Sequence, residues 1–267
     1  MHDSELDRAI HGLMEGVARD VILPRYRNLS ASEIDQKGAD DPVTIADREA
    51  EAKLRDGLAR IDGSLAFVGE EAAHAAPSSL EALNKACWIV DPLDGTRNFA
   101  AGKGPFGILV ARAENGVAQS GWIYDCLTGR FCSAHRGKGA LIDGERALAR
   151  PSGEAPPVAA ISLVFMDEAR REAIRNHVAP QYRLVDIPFC AAEQYPRLAL
   201  GENDVSIFER TLVWDHAAGV LWLEEAGGMA ARPDGRPYRV SEWWTNGLIA
   251  AASAELWHRL AELYARM

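Results

Sequence analysis

The segment Asp91-Pro92-Leu93-Asp94-Gly95-Thr96 is the part of this chain best suited to chemistry. An apolar run, Cys87-Trp88-Ile89-Val90, ends in a carboxylate; a proline then stops the ladder, and a second carboxylate follows three residues on. Two carboxylates on one tight turn can share or flank hard divalent cations, which take oxygen ligands. Gly95 and Thr96 open a helix whose first N–H groups lack intrahelical partners and suit a phosphate. An Asp-Gly pair alone is an ordinary turn. What makes it more specific is its company: Gly69-Glu70-Glu71 closes the preceding apolar run, and Trp214-Asp215-His216-Ala217-Ala218-Gly219 starts a late helix.

Elements of two periods must position these groups. Leu6, Ile10, Leu13, Met14, Val17 and Val21 recur at helical spacing, with Pro24 limiting that helix. A polar stretch, Ser30 to Asp41, reads as a loop or hairpin. Thr44 then caps a second helix with Asp47 in its first turn and Ile45, Leu54, Leu58 and Ile61 facing inward. Leu65 to Val68 and Cys87 to Val90 read as buried strands, and Phe106–Ala111, Val117–Tyr124 and Gly129–Ser133 as antiparallel ones joined by Gly- and Asn-containing turns. Ala149 to Pro157, with three prolines and a glycine, marks a boundary between an N-terminal half, 1–148, and a C-terminal half, 149–267. Beyond it, Val158–Phe165 and Tyr182–Asp186 read as strands. Glu168–His177, Ala191–Leu200 (despite Pro196), Asp215–Glu225 and Ala254–Arg266 read as helices. The pattern predicts an α/β sandwich in two unequal halves.

Composition narrows the function. The 267 residues are 48% hydrophobic and 25% charged, ordinary for a globular chain. With 29 Lys+Arg against 39 Asp+Glu the net charge is −10, and no polybasic run reverses it, so nucleic acid and anionic membrane surfaces are excluded as partners. A small anionic substrate is still compatible if bound cations invert the local field. Cys87, Cys126, Cys132 and Cys190 lack Cys-x-x-Cys spacing and read as buried free thiols. No signal-like segment and no apolar run of membrane length is present, so a cytoplasmic location is expected.

Taken together, the segments Asp41–Asp47, Gly69-Glu70-Glu71, Asp91–Phe99 and Trp214–Gly219 resemble the motif set of the inositol monophosphatases, members of the lithium-sensitive, magnesium-dependent phosphatase superfamily. The resemblance implies the αβαβα sandwich of the inositol monophosphatase and fructose-1,6-bisphosphatase type. It implies Mg²⁺ as cofactor: one ion held by Glu70, Asp91 and the Leu93 carbonyl, a second by Asp91, Asp94 and Asp215, and a third, weaker one beside Glu70. In the same scheme Thr96, hydrogen-bonded to Asp47, helps Glu70 activate the attacking water, and the Gly95 and Thr96 N–H groups bind phosphate. Lys37 falls where relatives have a segment contributing to the third metal site. A small phosphorylated metabolite as substrate and a homodimer as assembly are likewise implied.

The substrate-reading half departs from the pattern. Relatives that act on inositol phosphates carry a Gly-(Ser/Thr)-Ala-Ala segment and a glutamate shortly before the Trp-Asp motif. Here the segment reads Phe189-Cys190-Ala191-Ala192, and Glu209 stands one residue nearer Asp215, with Phe208 in its place. Inositol-1-phosphate is one expected substrate; histidinol phosphate, fructose 1,6-bisphosphate and a 3′-phosphoadenosine nucleotide are the alternatives. Leu93-Asp94-Gly95-Thr96 also looks like the nucleophile loop of haloacid-dehalogenase-type phosphatases, but that chemistry needs a carboxylate where Pro92 stands. A binding module without turnover is the remaining alternative, and it would have no use for the full carboxylate set.

Overall fold

The computed structural model describes residues 3–38 and 41–267, and the side chains of residues 31, 36–38 and 41 are outside the description. The Lys37 side chain, expected near a metal, therefore lies outside the described residues. A hairpin of β1 (Ile34–Gly38) and β2 (Asp41–Thr44) occupies the expected polar stretch.

Two larger sheets follow. The first runs in chain order through β3 (Ala66–Gly69), β4 (Cys87–Asp94), β5 (Gly107–Glu114), β6 (Val117–Asp125), β7 (Phe131–His135), β8 (Gly139–Ile142) and β9 (Glu145–Ala147). Only β3 and β4 are parallel; the remaining pairs are antiparallel. The second contains β10 (Val158–Ile161), β11 (Arg183–Val185), β12 (Val205–Phe208), β13 (Met229–Ala231) and β14 (Leu248–Ala251), in the order β11-β10-β12-β14-β13. Helices α1 (Asp3–Val17), α2 (Ile45–Asp62), α3 (Glu70–Ala75), α4 (Thr96–Ala100), α5 (Glu168–Ala173), α6 (Ala191–Leu200), α7 (Val213–Glu225) and α8 (Ala254–Tyr264) complete the chain.

Strand alternation dictates the layering. Along β4, Trp88 and Val90 turn to one face, where they meet Ile10 and Met14 of α1 and Leu54 and Leu58 of α2. Cys87 and Ile89 turn to the other, against Tyr195 and Leu198 of α6 and Leu221 of α7. Leu248 and Ala250 of β14 close on the far side of α7, while Ile249 and Ala251 face Trp257 and Leu260 of α8. The result is the expected αβαβα sandwich, and α7, lying between two sheets, is buried nearly all round. Gly219 permits the closest approach within that central layer, since a Cβ there would lie 2.0 Å from the Tyr195 ring.

One expectation needs correction. The strand before the motif does not stop at Pro92 but continues to Asp94. Trp243 and Trp244 pack their rings edge to face on each other and are exposed at 41% and 66%. The four cysteines are buried free thiols, as expected.

Candidate active site

The continuation of β4 through Pro92 is what assembles the acidic centre. Asp91 pairs with Leu109 and Asp94 with Gly107, so four residues on β4 lie opposite three on β5. This one-residue bulge absorbs a proline that cannot donate to the ladder. It also changes parity. In a regular strand, positions three apart point to opposite faces. Across the bulge, Asp91 and Asp94 match two β5 residues of the same face, the face that Ile89 and Leu109 present to α6 and α7. The turn beyond is held open by Gly95, whose φ of 83° suits glycine and whose added Cβ would lie 2.8 Å from the Pro105 carbonyl oxygen. Gly95→Ala is therefore expected to lose about 1–3 kcal/mol of stability, measured as a lower chemical-denaturation midpoint at unchanged slope.

Asp94 is anchored by the start of α6. Its Oδ2 accepts the Ala192 N–H at 2.6 Å and the Cys190 thiol at 3.0 Å, both from the start of α6. Burial raises its pKa to about 6 against those two donors. Asp91 is 2% exposed and accepts only the Leu93 N–H among the described contacts, at 3.0 Å. Its pKa stands well above the carboxylate range, through burial first and then the charges of Glu70, Asp94 and Asp215.

Asp47 and Thr96 form a second cluster beside the first. Thr44 caps α2, accepting the Ala46 N–H while its own N–H and hydroxyl donate to Asp47 Oδ2 at 2.8 and 2.6 Å. The Thr96 hydroxyl lies 2.9 Å from Asp47 Oδ1 and 2.8 Å from the Leu93 carbonyl oxygen. One hydroxyl proton cannot serve both acceptors at once, so it can switch between them. Burial lifts the Asp47 pKa to about 7.

Glu70 begins α3, and the residue that seats that helix start escaped the sequence reading. Glu51, one turn beyond Asp47 on α2, accepts the Glu71 and Ala72 N–H groups at 2.7 and 3.0 Å, and Arg55 holds it at 3.1 Å. By sequence it is an ordinary Glu–Arg i,i+4 surface pair; its position on the stripe of Asp47, Leu54 and Leu58 is the signal that it is buried. Glu51→Ala leaves Arg55 and two helix-start N–H groups without their acceptor. An activity loss of about tenfold is expected, with a smaller fall on Glu51→Gln, measured as kcat at saturating substrate.

Glu70, Asp91, Leu93, Asp94, Gly95, Thr96, Ala191, Glu209 and Asp215 line one cavity between the sheets; Asp47 stands behind Thr96. Strand alternation separates the two residues competing for the family glutamate position. Phe208 turns to the α6 and α7 side, its ring stacked on Tyr195 at 5.6 Å and edge-on to His216 at 4.8 Å. Glu209 also lines the cavity, with its Oε2 buried and unpaired among the described contacts. His216 is a packing group: Nδ1 meets the Tyr195 hydroxyl at 2.7 Å, Nε2 the Arg210 carbonyl at 3.3 Å, and burial lowers its pKa to about 3.

Among the described residues no three Asp, Glu, His or Cys side chains stand close enough, as placed, to enclose a metal ion. The donor set nonetheless fits a hard cation. The side chains that would hold it are all carboxylates lining one cavity, and the charge of Asp91 is opposed both by burial and by its three neighbours. A dication would relieve that conflict after side-chain rotation.

Comparison with known proteins points the same way. The model of the inositol monophosphatase family matches residues 2–266. An inositol-1-monophosphatase of Bacillus subtilis is 29% identical over 227 residues, 84% of this chain and 83% of its own. A histidinol-phosphatase of Chlorobaculum parvum is 30% identical over 233 residues, 86% of each. The crystal structure of the extragenic suppressor protein suhB from Bartonella henselae superposes with a TM-score of 0.81 at 23% identity, covering 97% of this chain and 98% of that one.

Proposed function

The chain belongs to the inositol monophosphatase family, and on that premise we propose that it is a Mg²⁺-dependent phosphatase acting on a small phosphate monoester, inositol-1-phosphate or a related one. The observation that carries this reading is the bulge at Pro92, which turns Asp91 and Asp94 to one face in a cavity shared with Glu70 and Asp215. Glu70, Asp91, the Leu93 carbonyl, Asp94 and Asp215 are the groups that would hold two Mg²⁺ ions, with a third and weaker one beside Glu70. Bound there, Mg²⁺ supplies charge neutralisation for the phosphate and a lowered pKa for water.

The chain's own residues supply position and proton handling. Glu70, seated by Glu51 at the start of α3, orients the attacking water. The Thr96 hydroxyl passes its proton to Asp47 and takes the water's proton in turn; burial makes the Asp47 carboxylate more basic than usual and so suited to accept it. The N–H groups of Gly95 and Thr96 receive phosphate oxygens. No residue acts as nucleophile, because Pro92 stands where a covalent route needs a carboxylate.

The reading is tested by phosphate release from a panel of monoesters with Mg²⁺ and after chelation. Release should require Mg²⁺ and be suppressed by Li⁺, and light scattering should report a homodimer. Tight binding of a sugar phosphate with no turnover would favour the binding-module alternative. A phosphoenzyme trapped on Asp91 would replace the direct route by a covalent one.

A further inference from the structure

The cavity has a second wall that the acidic centre does not use. Phe189 and Phe165 line it from two separate segments and remain 43% and 47% exposed. Phe189 adopts a φ of 52°, the left-handed region that costs a non-glycine residue energy and explains the glycine of the family pattern. Its neighbours are pinned on both sides. Asn98 donates to the Pro188 carbonyl at 2.8 Å, and the Cys190 thiol to Asp94 at 3.0 Å. The strained backbone is thus held in place, and it sets an exposed ring at the mouth of the site. Each ring lies under a guanidinium, Arg97 at 5.3 Å from the Phe189 centroid and Arg210 at 4.2 Å from that of Phe165. A guanidinium leaves much of each ring exposed, and at Phe189 that exposure adds to the backbone strain unless a ligand covers it.

From this we infer that Phe189 and Phe165 are specificity-determining residues that select a monoester whose alcohol carries a planar ring, an inference that rests on the phosphatase reading above. The polar groups that would recognise a polyol are reduced on this wall: the Cys190 thiol is turned to Asp94, and Phe208, standing where the family pattern has its glutamate, stacks on Tyr195. An imidazole or purine ring instead finds aromatic faces whose geometry rewards stacking or edge contact.

The test compares kcat/KM for histidinol phosphate and adenosine 3′-monophosphate, which carry rings, with inositol-1-phosphate and glycerol 2-phosphate, which do not. At least one ring-bearing substrate should be favoured about tenfold or more, and its identity separates an imidazole from a purine ligand. Phe189→Gly should cut that preference about tenfold, mainly through KM, whereas Phe189→Tyr should keep it. Glycine suits the φ at this position, so the melting temperature of Phe189→Gly should not fall, which separates lost recognition from lost folding. Equal handling of both substrate classes by the wild type, or an unmoved preference in Phe189→Gly, overturns the inference alone. No hydrolysis of any monoester with Mg²⁺ removes the phosphatase reading and this inference with it.

Discussion

Replacing Asp91 by asparagine is expected to lower Mg²⁺-dependent phosphate release by about a thousandfold or more while making the metal-free protein more stable. The first effect follows from the shared position of Asp91 in the proposed ligand set: losing its charge weakens both sites, and several kcal/mol of lost stabilisation is about 10³ in rate. The second follows from the same carboxylate seen without its cation. Asp91 is buried among Glu70, Asp94 and Asp215, and its pKa is raised by all of these influences. A carboxyl whose pKa is higher folded than unfolded keeps its proton longer in the native state. The native state then binds more protons than the unfolded chain, and stability falls as pH rises. For Asp94 the window runs from about 4 to about 6, and for Asp47 to about 7. Melting of chelator-treated protein should therefore decline as pH rises from about 4 through about 7. Asp91→Asn should flatten that decline and melt higher than wild type at pH 8. An Asp91→Asn variant that kept wild-type turnover, or melted lower without metal, would remove Asp91 from the metal centre.

Thr96→Val carries the second large effect. Valine keeps the shape and removes the hydroxyl that lies between Asp47 and the Leu93 carbonyl. If Thr96 relays the water's proton, kcat should fall about 10²–10⁴-fold, the usual worth of a positioned acid or base. KM should change little, because the backbone N–H offered to phosphate is retained. Asp47 Oδ1 loses its donor while buried, so about 1–3 kcal/mol of stability should go as well. Thr96→Ser separates the two consequences: it restores the hydroxyl and should recover most of kcat. A serine variant as slow as the valine one would show that the methyl packing, and not the proton, is what Thr96 contributes.

The parts of the fold visible in the sequence are those whose signal is local. Thr44-x-x-Asp47 reads as a helix start because cap and first-turn acceptor sit three residues apart, and α2 begins there with both bonds made. The strand of Cys87–Val90 and the Asn115–Gly116 turn, with φ of 52° and 79°, are likewise local. Non-local pairing is where the reading stopped. β12 and β14 are four residues each, and their pairing is set by partners 40 or more residues away in sequence. β8 and β9 extend the first sheet with pieces of four and three residues. The bulge at Pro92 illustrates the same limit within the site. Proline predicts a stop, but only the register against β5 reveals that the strand continues and turns Asp91 and Asp94 to one face.

The acidic centre was legible residue by residue because its carriers stand at strand ends and helix starts, where sequence punctuation is strongest. Its support was not. Glu51 looks like half of a surface ion pair until the start of α3 is seen to rest on it. Phe189 could be flagged as a departure from glycine, yet its left-handed backbone and exposed ring belong to the folded loop.

The most direct test of the central claim measures Mg²⁺ stoichiometry by calorimetry and phosphate release on the same chelator-treated sample, with a ring-bearing monoester and with inositol-1-phosphate. Turnover should be absent without Mg²⁺ and appear only as the second ion binds, and both signals should be lost together in Asp91→Asn. Phosphate release that persists undiminished after chelation would contradict the account.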